Sequence, residues 1–202
     1  MPRIRAASIA EHKAITRRAL LGAARDLIDE TGTADIALGE VALAAGVGRT
    51  TFYEYFSDRD DIIAALVEEE LPQVVADLIE SVSADLPTAE RLAELAARTV
   101  VFVAEDRVFG VILHRAAGSF GKAAQSRIME SHAGLSAEMA DLYMHGVSDG
   151  LFRPLSPPLA GRLIQGAIMS AAKALIDGAV GPEDAVRDLK RFLLGGLGRQ
   201  AP

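Results

Sequence analysis

Residues 41–59 restrict the fold of this chain more than any other part of its sequence. They read VALAAGVGRTTFYEYFSDR, a short apolar stretch, a glycine, and a second short stretch crowded with Arg, Thr, Tyr and Phe. Apolar residues recur at helical spacing ahead of that glycine, at Leu38, Val41, Ala42 and Ala45. Because Gly46 is a typical helix stop, the pattern predicts two short helices joined by a tight turn, which is the layout of a helix-turn-helix.

The rest of the chain has the same helical periodicity and no convincing strand alternation. Gly and Pro residues separate the periodic segments, and no repeat or long linker interrupts them. The predicted helices are 11–30, 38–45, 49–56, one capped by Ser57 or Asp58 and running beyond 66, 88–104, 106–117, 122–148, 159–176 and 183–197. The predicted fold class is therefore all-α, with about nine helices.

Composition limits the compartment and the chemistry. Half of the 202 residues are apolar and none is cysteine, which allows a real core and excludes disulfides and thiolate chemistry. No uninterrupted apolar run approaches the roughly 18 to 20 residues that span a bilayer. The first residues also lack the apolar region of a secretory signal. We expect a cytoplasmic protein with no membrane partner.

Charge is distributed unevenly along the chain. The net charge is −7, yet Glu11 is the only acid between Arg3 and Arg25, a stretch that also contains Arg5, Lys13, Arg17 and Arg18. The acidic excess lies after Phe56. This asymmetry allows the N-terminal end to meet phosphates while the remainder repels them. A solvated basic helix is the alternative interpretation of the same residues.

A helical wheel divides the predicted helix 49–56 into two faces. Phe52 and Phe56 fall side by side and are predicted to pack in the core. The opposite arc is polar and contains Thr50, Thr51, Glu54 and Tyr55, flanked by Arg49 and Tyr53. An amphipathic hairpin inside a helical bundle is the alternative, but Tyr53 and Tyr55 outside the core weigh against it.

Each exposed group on this helix has a plausible contact on double-stranded DNA. Arg49 can donate two hydrogen bonds to a guanine, Glu54 can accept from a cytosine, and threonine methyl groups can touch a thymine methyl. Tyr53, Thr51 and Arg59 carry donors that suit phosphate oxygens. We therefore predict double-stranded DNA as a partner.

These residues resemble the TetR-like family of transcriptional regulators. The family pattern is present as VALAAGV at 41–47, TFYEYF at 51–56 and Arg59. The resemblance implies base contacts from Arg49, Thr50, Glu54 and Tyr55, and phosphate contacts from Tyr53 and Arg59. The family often has Ser at the position of Gly48 and Thr or Ser at that of Ala37. We expect the backbone N–H groups near Gly48, and an arm carrying Arg3 and Arg5 in the minor groove, to compensate.

The family resemblance also implies a domain organisation. Residues 1–57 would bind DNA, and residues 58–202 would bind a small, largely apolar effector and form a homodimer through the last two helices. The implied function is a ligand-responsive regulator, most commonly a repressor of a palindromic operator. Small residues in 159–176 permit close helix packing, and the final helix has an apolar stripe that we expect the dimer to bury: Val186, Leu189, Leu193 and Leu197.

Candidate effector-binding residues are those whose side chains suit an adaptable apolar cavity with one polar anchor. They are Phe102, Phe109, Leu113, His114, Met129, Met139, Tyr143 and Met144. Ordinary core packing is the alternative for each of them.

Metal and catalytic chemistry find no support in the sequence. The four His have no metal-binding spacing, and no cysteine can complete a site. Phosphate loops and the common hydrolase and protease motifs are missing, so we predict no catalytic residue, metal or cofactor. The acids at 60–61 and 68–70 are interpreted as solvated helix faces. The alternative function is a helical small-molecule-binding or catalytic protein that keeps the hairpin only as scaffold.

Overall fold

Several helices begin or end at glycine or proline residues of the sequence. A computed structural model of the chain describes residues 2–115 and 117–198, with the side chains of 8–113 and 118–198. Gly32 ends the first helix and Gly46 ends the second, with φ of +65° and +69°, a left-handed conformation that glycine adopts without strain. Ten α-helices lie in this part of the chain: α1 (Pro2–Thr31), α2 (Leu38–Ala44), α3 (Arg49–Phe52), α4 (Arg59–Ser81), α5 (Thr88–Glu105), α6 (Arg107–Gly110), α7 (Lys122–Ser131), α8 (Ala133–Ser148), α9 (Pro157–Ile176) and α10 (Pro182–Leu197). The all-α prediction is confirmed.

Four helices differ from the sequence prediction. The first, predicted over 11–30, begins already at Pro2. The predicted helix 122–148 is broken at His132 into α7 and α8. His132 is neither glycine nor proline and keeps right-handed angles (φ −91°, ψ −3°). The predicted helix 106–117 is the single turn α6, followed by a π-helical turn at Val111–Arg115 and a 3₁₀ turn at Ala117–Ser119. The helix predicted at 49–56 keeps regular geometry only through Phe52.

The described chain divides into two compact units. The N-terminal unit comprises Met1–Glu70 and Val111–Met129, and the C-terminal unit comprises Leu71–Gly110 and Glu130–Pro202. In the N-terminal unit α1 packs on α2 and α2 packs on α3. Its core includes fully buried side chains from four helices: Leu20, Ile28, Val41, Phe52, Ile62, Ile63 and Leu66. The domain boundary predicted at residue 57 stays a prediction. The compact units are defined by packing, whereas a DNA-binding domain is defined by its function.

Helix α5 is the centre of the C-terminal unit and packs against α8, α9 and α10. In this unit Phe152 stacks on Tyr143, with ring centroids 5.9 Å apart. A side chain at Gly146 would collide with the Phe152 ring. The Tyr143 hydroxyl donates to the Arg153 carbonyl and accepts from the Leu155 N–H, both at 2.8 Å. Tyr143 therefore anchors the segment after α8.

The apolar stripe of α10 serves the protein's own core. Leu189, Leu193 and Leu197 are each 5% exposed or less, and α10 packs on α5 and α9, so the expectation that a dimer buries this stripe is wrong. A periodic stripe shows that one helix face is buried, and it does not show which partner buries it. The exposed apolar side chains of the last two helices lie elsewhere: Leu159, Leu163, Met169, Phe192 and Leu194.

Helix α9 is also the one helix among the described residues that is long and apolar enough to cross a membrane by length and composition, with a mean hydropathy of 1.2. The sequence expectation considered only uninterrupted apolar runs. Arg162, Gln165 and Lys173 interrupt this helix without lowering its average below that of a spanning segment. The expectation about uninterrupted apolar runs is therefore not contradicted, since α9 qualifies by length and average composition only.

Candidate nucleic-acid interface

Phe52 and Phe56 anchor the recognition segment, residues 49–56. Phe52 is fully buried and Phe56 is 3% exposed, and their ring centroids lie 5.8 Å apart. The Arg17 guanidinium of α1 lies 5.8 Å from the centroid of the Phe56 ring, at cation–π distance. The predicted core face of this segment is confirmed.

The recognition segment tightens as it ends. The N–H groups of Glu54 and Tyr55 donate to carbonyls three residues back, at 3.1 and 3.0 Å, and the Phe56 N–H returns to a four-residue bond at 3.1 Å. This 3₁₀-like turn keeps Phe56 beside Phe52 after regular α-geometry has ended.

The polar side chains of the recognition segment remain outside the core. Arg49, Thr50 and Glu54 are exposed, Thr51 and Tyr55 are half-buried, and Tyr53 is 48% exposed. Gly48 precedes α3 in an extended conformation and makes no side-chain cap. Burial therefore separates the residues as the wheel predicts, while their contacts with DNA stay predictions.

A reciprocal cap fixes the start of α4. The Asp58 carboxylate accepts the Asp61 N–H at 2.8 Å, so of the two predicted caps, Ser57 and Asp58, it is Asp58 that caps this helix. The Asp61 carboxylate accepts the Ser57 N–H at 2.8 Å and the Ser57 hydroxyl at 3.2 Å. This arrangement resembles a capping box and holds the chain between the recognition segment and α4.

Arg59, the predicted phosphate donor, has carboxylate partners within the protein. Its guanidinium pairs with Asp35, just before α2, and with Asp60 at 3.3 Å. The Asp35 side chain is 83% exposed, so its ion pair with Arg59 is weak in water. A phosphate oxygen could replace Asp35 at small cost.

The acids of α4 are exposed or half-buried, which fits their interpretation as solvated helix faces, and each also pairs with an arginine. Glu68 accepts two hydrogen bonds from Arg127 of α7, at 2.7 and 2.6 Å. Glu69 pairs with Arg17, and Glu70 pairs with Arg25 at 2.5 Å. The sequence shows which residues share a helix face, but it does not show which distant arginines meet that face.

These contacts shift the pKa of three groups. Partial burial raises the pKa of Asp61, but the hydrogen bonds from Ser57 and Arg127 outweigh it and the net pKa is lowered. The hydrogen bond from Arg127 is the main reason that the pKa of Glu68 is lowered. The hydrogen bond to Glu68 in turn raises the pKa of Arg127. All three groups are therefore charged at neutral pH.

Some of the basic residues near the N-terminus form ion pairs within the protein. Arg17 and Arg25 pair with acids of α4, whereas Lys13 and Arg18 are exposed. The side chains of Arg3 and Arg5, predicted to form the DNA-binding arm, lie outside the described residues. Only a portion of the basic stretch is thus open to phosphates.

A cavity of about 340 Å³ lies in the C-terminal unit between α4, α5 and α10. Its walls include Leu78, Val101 and Phe102, and its rim includes Glu94, which pairs with Lys190 and with Arg98. The hydrogen bond from Lys190 is the main reason that the pKa of Glu94 is lowered. Sequence reasoning missed this rim, although Glu94 and Arg98 have the spacing of a helical ion pair.

The predicted effector residues are dispersed in the structure. Phe102 lines the cavity, and Phe109 packs on it with ring centroids 5.5 Å apart. Met139 and Tyr143 are buried, and Met129 and Met144 are 72% and 47% exposed. Leu113 is half-buried, and the side chain of His114 lies outside the described residues. Among these predicted residues, only Phe102 lines this cavity.

The fold and the polar face of the recognition segment define a class of protein: a helix-turn-helix, DNA-binding transcriptional regulator with an all-α C-terminal unit. Residues 20–66 match the family model of "bacterial regulatory proteins, tetR family". Residues 85–197, more than half of the chain, match the model of the "tetracyclin repressor-like, C-terminal domain". The chain belongs to the TetR family of bacterial regulators. This assignment favours a regulator over the scaffold alternative.

Individual relatives agree with this assignment. The HTH-type transcriptional repressor LfrR of Mycolicibacterium smegmatis is 49% identical over 51 residues, which are 25% of this chain and 26% of that repressor. The chain thus spans about a quarter of LfrR in that match. The fatty acid metabolism regulator protein of Bacillus subtilis is 23% identical over 150 residues, 74% of this chain and 77% of that protein.

Two solved structures share the fold. FadR from Bacillus subtilis, in complex with stearoyl-CoA, has a TM-score of 0.75 at 21% identity, over 89% of this chain and 98% of that one. RolR in complex with resorcinol has a TM-score of 0.71 at 26% identity, over 95% of this chain and 92% of that one.

Proposed function

We propose that the protein is a cytoplasmic, non-enzymatic repressor that binds a palindromic operator as a homodimer and leaves it when a small molecule binds. The observation that carries this proposal is the recognition segment. Phe52 and Phe56 fix its backbone in the core, and its polar side chains remain exposed. A helical segment anchored in the core, with its polar side chains outward, is what base reading in the major groove requires.

Base and phosphate contacts are divided along this segment. We assign base edges to Arg49, Thr50, Glu54 and Tyr55, which lie on its exposed or half-exposed side. We assign phosphates to Thr51, Tyr53, Arg59 and the backbone N–H near Gly48. Arg59 would exchange its exposed partner Asp35 for a phosphate and keep Asp60.

The dimer face consists of the apolar side chains that α9 and α10 leave exposed. Leu163 is 50% exposed and Phe192 is 65% exposed. Nearby glycines, Gly161 and Gly166, have open space where a side chain would be and permit close helix approach. Arg162 and Lys173 on α9 disfavour a bilayer and suit a protein partner. A second copy of the chain is the occupant that gives two recognition segments and a palindromic site.

The effector site is assigned to the C-terminal unit, with the cavity beside Phe102 as its candidate. Its volume of about 340 Å³ lies at the small end of ligand pockets. Apolar walls and a charged rim suit a molecule with an apolar body and a polar end. The relatives crystallised with stearoyl-CoA and with resorcinol hold very different molecules, so their names do not select one for this chain.

Release follows from a shift between two populations. One form of the dimer would have its recognition segments misplaced for the operator. An effector that binds this form more tightly would shift the population toward it, and the difference in affinity sets the size of the shift. Helix α4 connects the two units in sequence, because Glu70 ends one and Leu71 begins the other. We assign to it the link between effector and DNA.

Selection from a random-sequence duplex library tests the proposed function. The full chain should enrich a palindrome whose half-sites lie about one helical turn, 34 to 36 Å, apart. Gel shifts with the enriched duplex and a shuffled one, at several salt concentrations, then give the specificity ratio. Equal affinity for both duplexes at every salt concentration would reject a sequence-reading regulator.

A further inference from the structure

Two adjacent carboxylates at the start of α4 each bind different partners through their two oxygens. Asp60 accepts from Arg59 through Oδ1 at 3.3 Å and from the Gly121 N–H through Oδ2 at 2.8 Å. Asp61 accepts from Arg127 through Oδ1 at 2.7 Å and from the Ser57 N–H through Oδ2 at 2.8 Å. We call this group the carboxylate bridge, formed by Asp60 and Asp61 with Ser57, Arg59, Gly121 and Arg127.

One side of the carboxylate bridge holds the residues that flank the recognition segment. Ser57 directly follows Phe56, and Arg59 is the proposed phosphate donor two residues later. The Asp61 carboxylate fixes the Ser57 backbone, and the Asp60 carboxylate fixes the Arg59 guanidinium. The position of each therefore depends on where its carboxylate is held.

The other side of the carboxylate bridge belongs to a segment from later in the chain. Gly121 and Arg127 lie in residues 111–129, which pack within the N-terminal unit. The chain enters this segment from Gly110 and leaves it to Glu130, and both of these belong to the C-terminal unit. Peptide bonds therefore join this segment to the C-terminal unit at both of its ends.

Arg127 is well suited to fix the carboxylates in place. Its guanidinium meets Glu68 with two nitrogens, at 2.7 and 2.6 Å, and Asp61 with a third contact at 2.7 Å. Glu68 lies seven residues after Asp61, two turns along the same helix face. The planar fork of arginine can satisfy both acids together, whereas lysine offers a single ammonium centre.

We propose that the carboxylate bridge sets the register of the recognition segment on DNA, with Arg127 as its main positioning residue. Arg127 acts on Ser57 through Asp61, and Gly121 acts on Arg59 through Asp60. The proposal rests on the proposed DNA-binding function. It gives the C-terminal unit a second connection to the DNA-reading residues, in addition to the continuous helix α4.

The test measures specificity for DNA, because a partly unfolded sample weakens binding to all duplexes equally. The probes are the duplex that the wild-type chain enriches from a random library and a shuffled duplex of the same composition. The variants are Arg127→Gln, Asp61→Asn and the double variant. Arg91→Gln is the matched control, since Arg91 pairs with Glu138 between two helices at similar exposure, away from the carboxylate bridge.

Arg127→Gln is expected to lower the ratio of specific to shuffled affinity about tenfold, the scale of one hydrogen bond between charged groups. Asp61→Asn should lower it similarly, because the amide cannot accept from Ser57 and Arg127 as the carboxylate does. The double variant should match the single ones, and Arg127→Lys should recover part of the specificity. Arg91→Gln should keep the wild-type ratio.

Three results would contradict this account. A wild-type ratio in Arg127→Gln would overturn the positioning role alone and leave the DNA-binding function intact. Effects that add in the double variant would show that Arg127 and Asp61 act independently, which also overturns it. Failure of the wild-type chain to enrich any duplex would overturn the proposed function and the positioning role together.

Discussion

Phe52 and Tyr53 are neighbours with opposite environments. Phe52 is fully buried and Tyr53 is 48% exposed, although their ring centroids lie only 5.5 Å apart. The sequence alone predicts this division, because Phe52 and Phe56 are four residues apart and Tyr53 lies off their face. We therefore expect stability and DNA recognition to depend on different residues of the same turn.

Truncation of the Phe52 side chain should lower the stability of the folded protein. Phe52→Ala is expected to lower the free energy of unfolding by about 3 to 5 kcal/mol, because it leaves a cavity in the core. Urea denaturation followed by circular dichroism measures this decrease. Tyr53→Phe, which keeps the ring, is the control and should unfold within about 0.5 kcal/mol of wild type. A decrease below about 1 kcal/mol for Phe52→Ala would show that the site collapses without the usual cavity cost.

Tyr53→Phe should weaken DNA binding without changing its sequence preference. It removes a hydroxyl assigned to a phosphate, and phosphate contacts carry no base information. Because the tyrosine is neutral, the salt dependence of binding should stay at the wild-type value, whereas Arg59→Ala should reduce the slope by about 0.9, the value for one neutralised phosphate. Gel shifts over a salt series measure both quantities. A changed base preference in Tyr53→Phe would place this side chain at a base edge.

The sequence could not reveal how the charged residues are paired. It places Asp60, Asp61 and Glu68 on α4, but the arginine that joins two of them comes from α7, 59 residues after Glu68 and 66 after Asp61. Ion pairs between distant helices depend on the folded packing, which helix periodicity does not encode. The same reason explains why the rim of the cavity, with Lys190 on Glu94, was missed.

Helix α4 carries a pH-dependent contribution to stability. The pKa of Glu68 is lowered from its ordinary 4.5, first by the hydrogen bond from Arg127, and the pKa of Asp61 is lowered from 3.8. A lowered pKa in the folded chain stabilises it at pH above the ordinary value. This stabilisation disappears as the pH falls through the folded-state pKa.

Glu68→Gln should therefore be less stable than wild type at pH 7, and the difference should shrink below pH 4.5. Urea denaturation at pH 7, 5 and 3 measures the difference. Glu90→Gln, an exposed acid in the first turn of α5, is the comparison variant. A difference that stays constant from pH 7 to pH 3 would mean that the Arg127 contact does not stabilise the folded chain.

Helix ends were more predictable than helix interiors. Gly32 and Gly46 predict the ends of α1 and α2, because the left-handed conformation at each position favours glycine. The break at His132 has no such residue, and the π-helical turn at Val111–Arg115 follows a continuous apolar pattern. Such changes arise from tertiary packing, which overrides local propensity.

The packing of the C-terminal unit explains why the proposed dimer face differs from the predicted stripe. Leu189, Leu193 and Leu197 are buried within that unit, so the proposed face uses the apolar residues that α9 and α10 leave exposed. The fold class and the recognition segment were thus readable from one sequence. The proposed dimer face and the candidate effector cavity were not, because both depend on which helix covers which.

The combined variant Leu163→Glu and Phe192→Glu should be a monomer. Two carboxylates on the proposed dimer face would have to give up their hydration in the interface, at a cost of several kcal/mol each. Light scattering coupled to size-exclusion chromatography measures the mass, and circular dichroism checks the fold. Leu151→Glu, at an exposed leucine outside α9 and α10, should keep the dimer. A dimeric double variant would move the interface to another surface.

The most direct test of the account compares the DNA motifs selected by wild-type protein and by Arg49→Ala from the same random duplex library. The wild type should enrich a palindrome. Arg49→Ala should keep its spacing but lose preference at one base pair in each half-site, by about 1 to 3 kcal/mol. Identical motifs from both proteins, or no enriched motif from either, would contradict the claim that the exposed face of the recognition segment reads DNA.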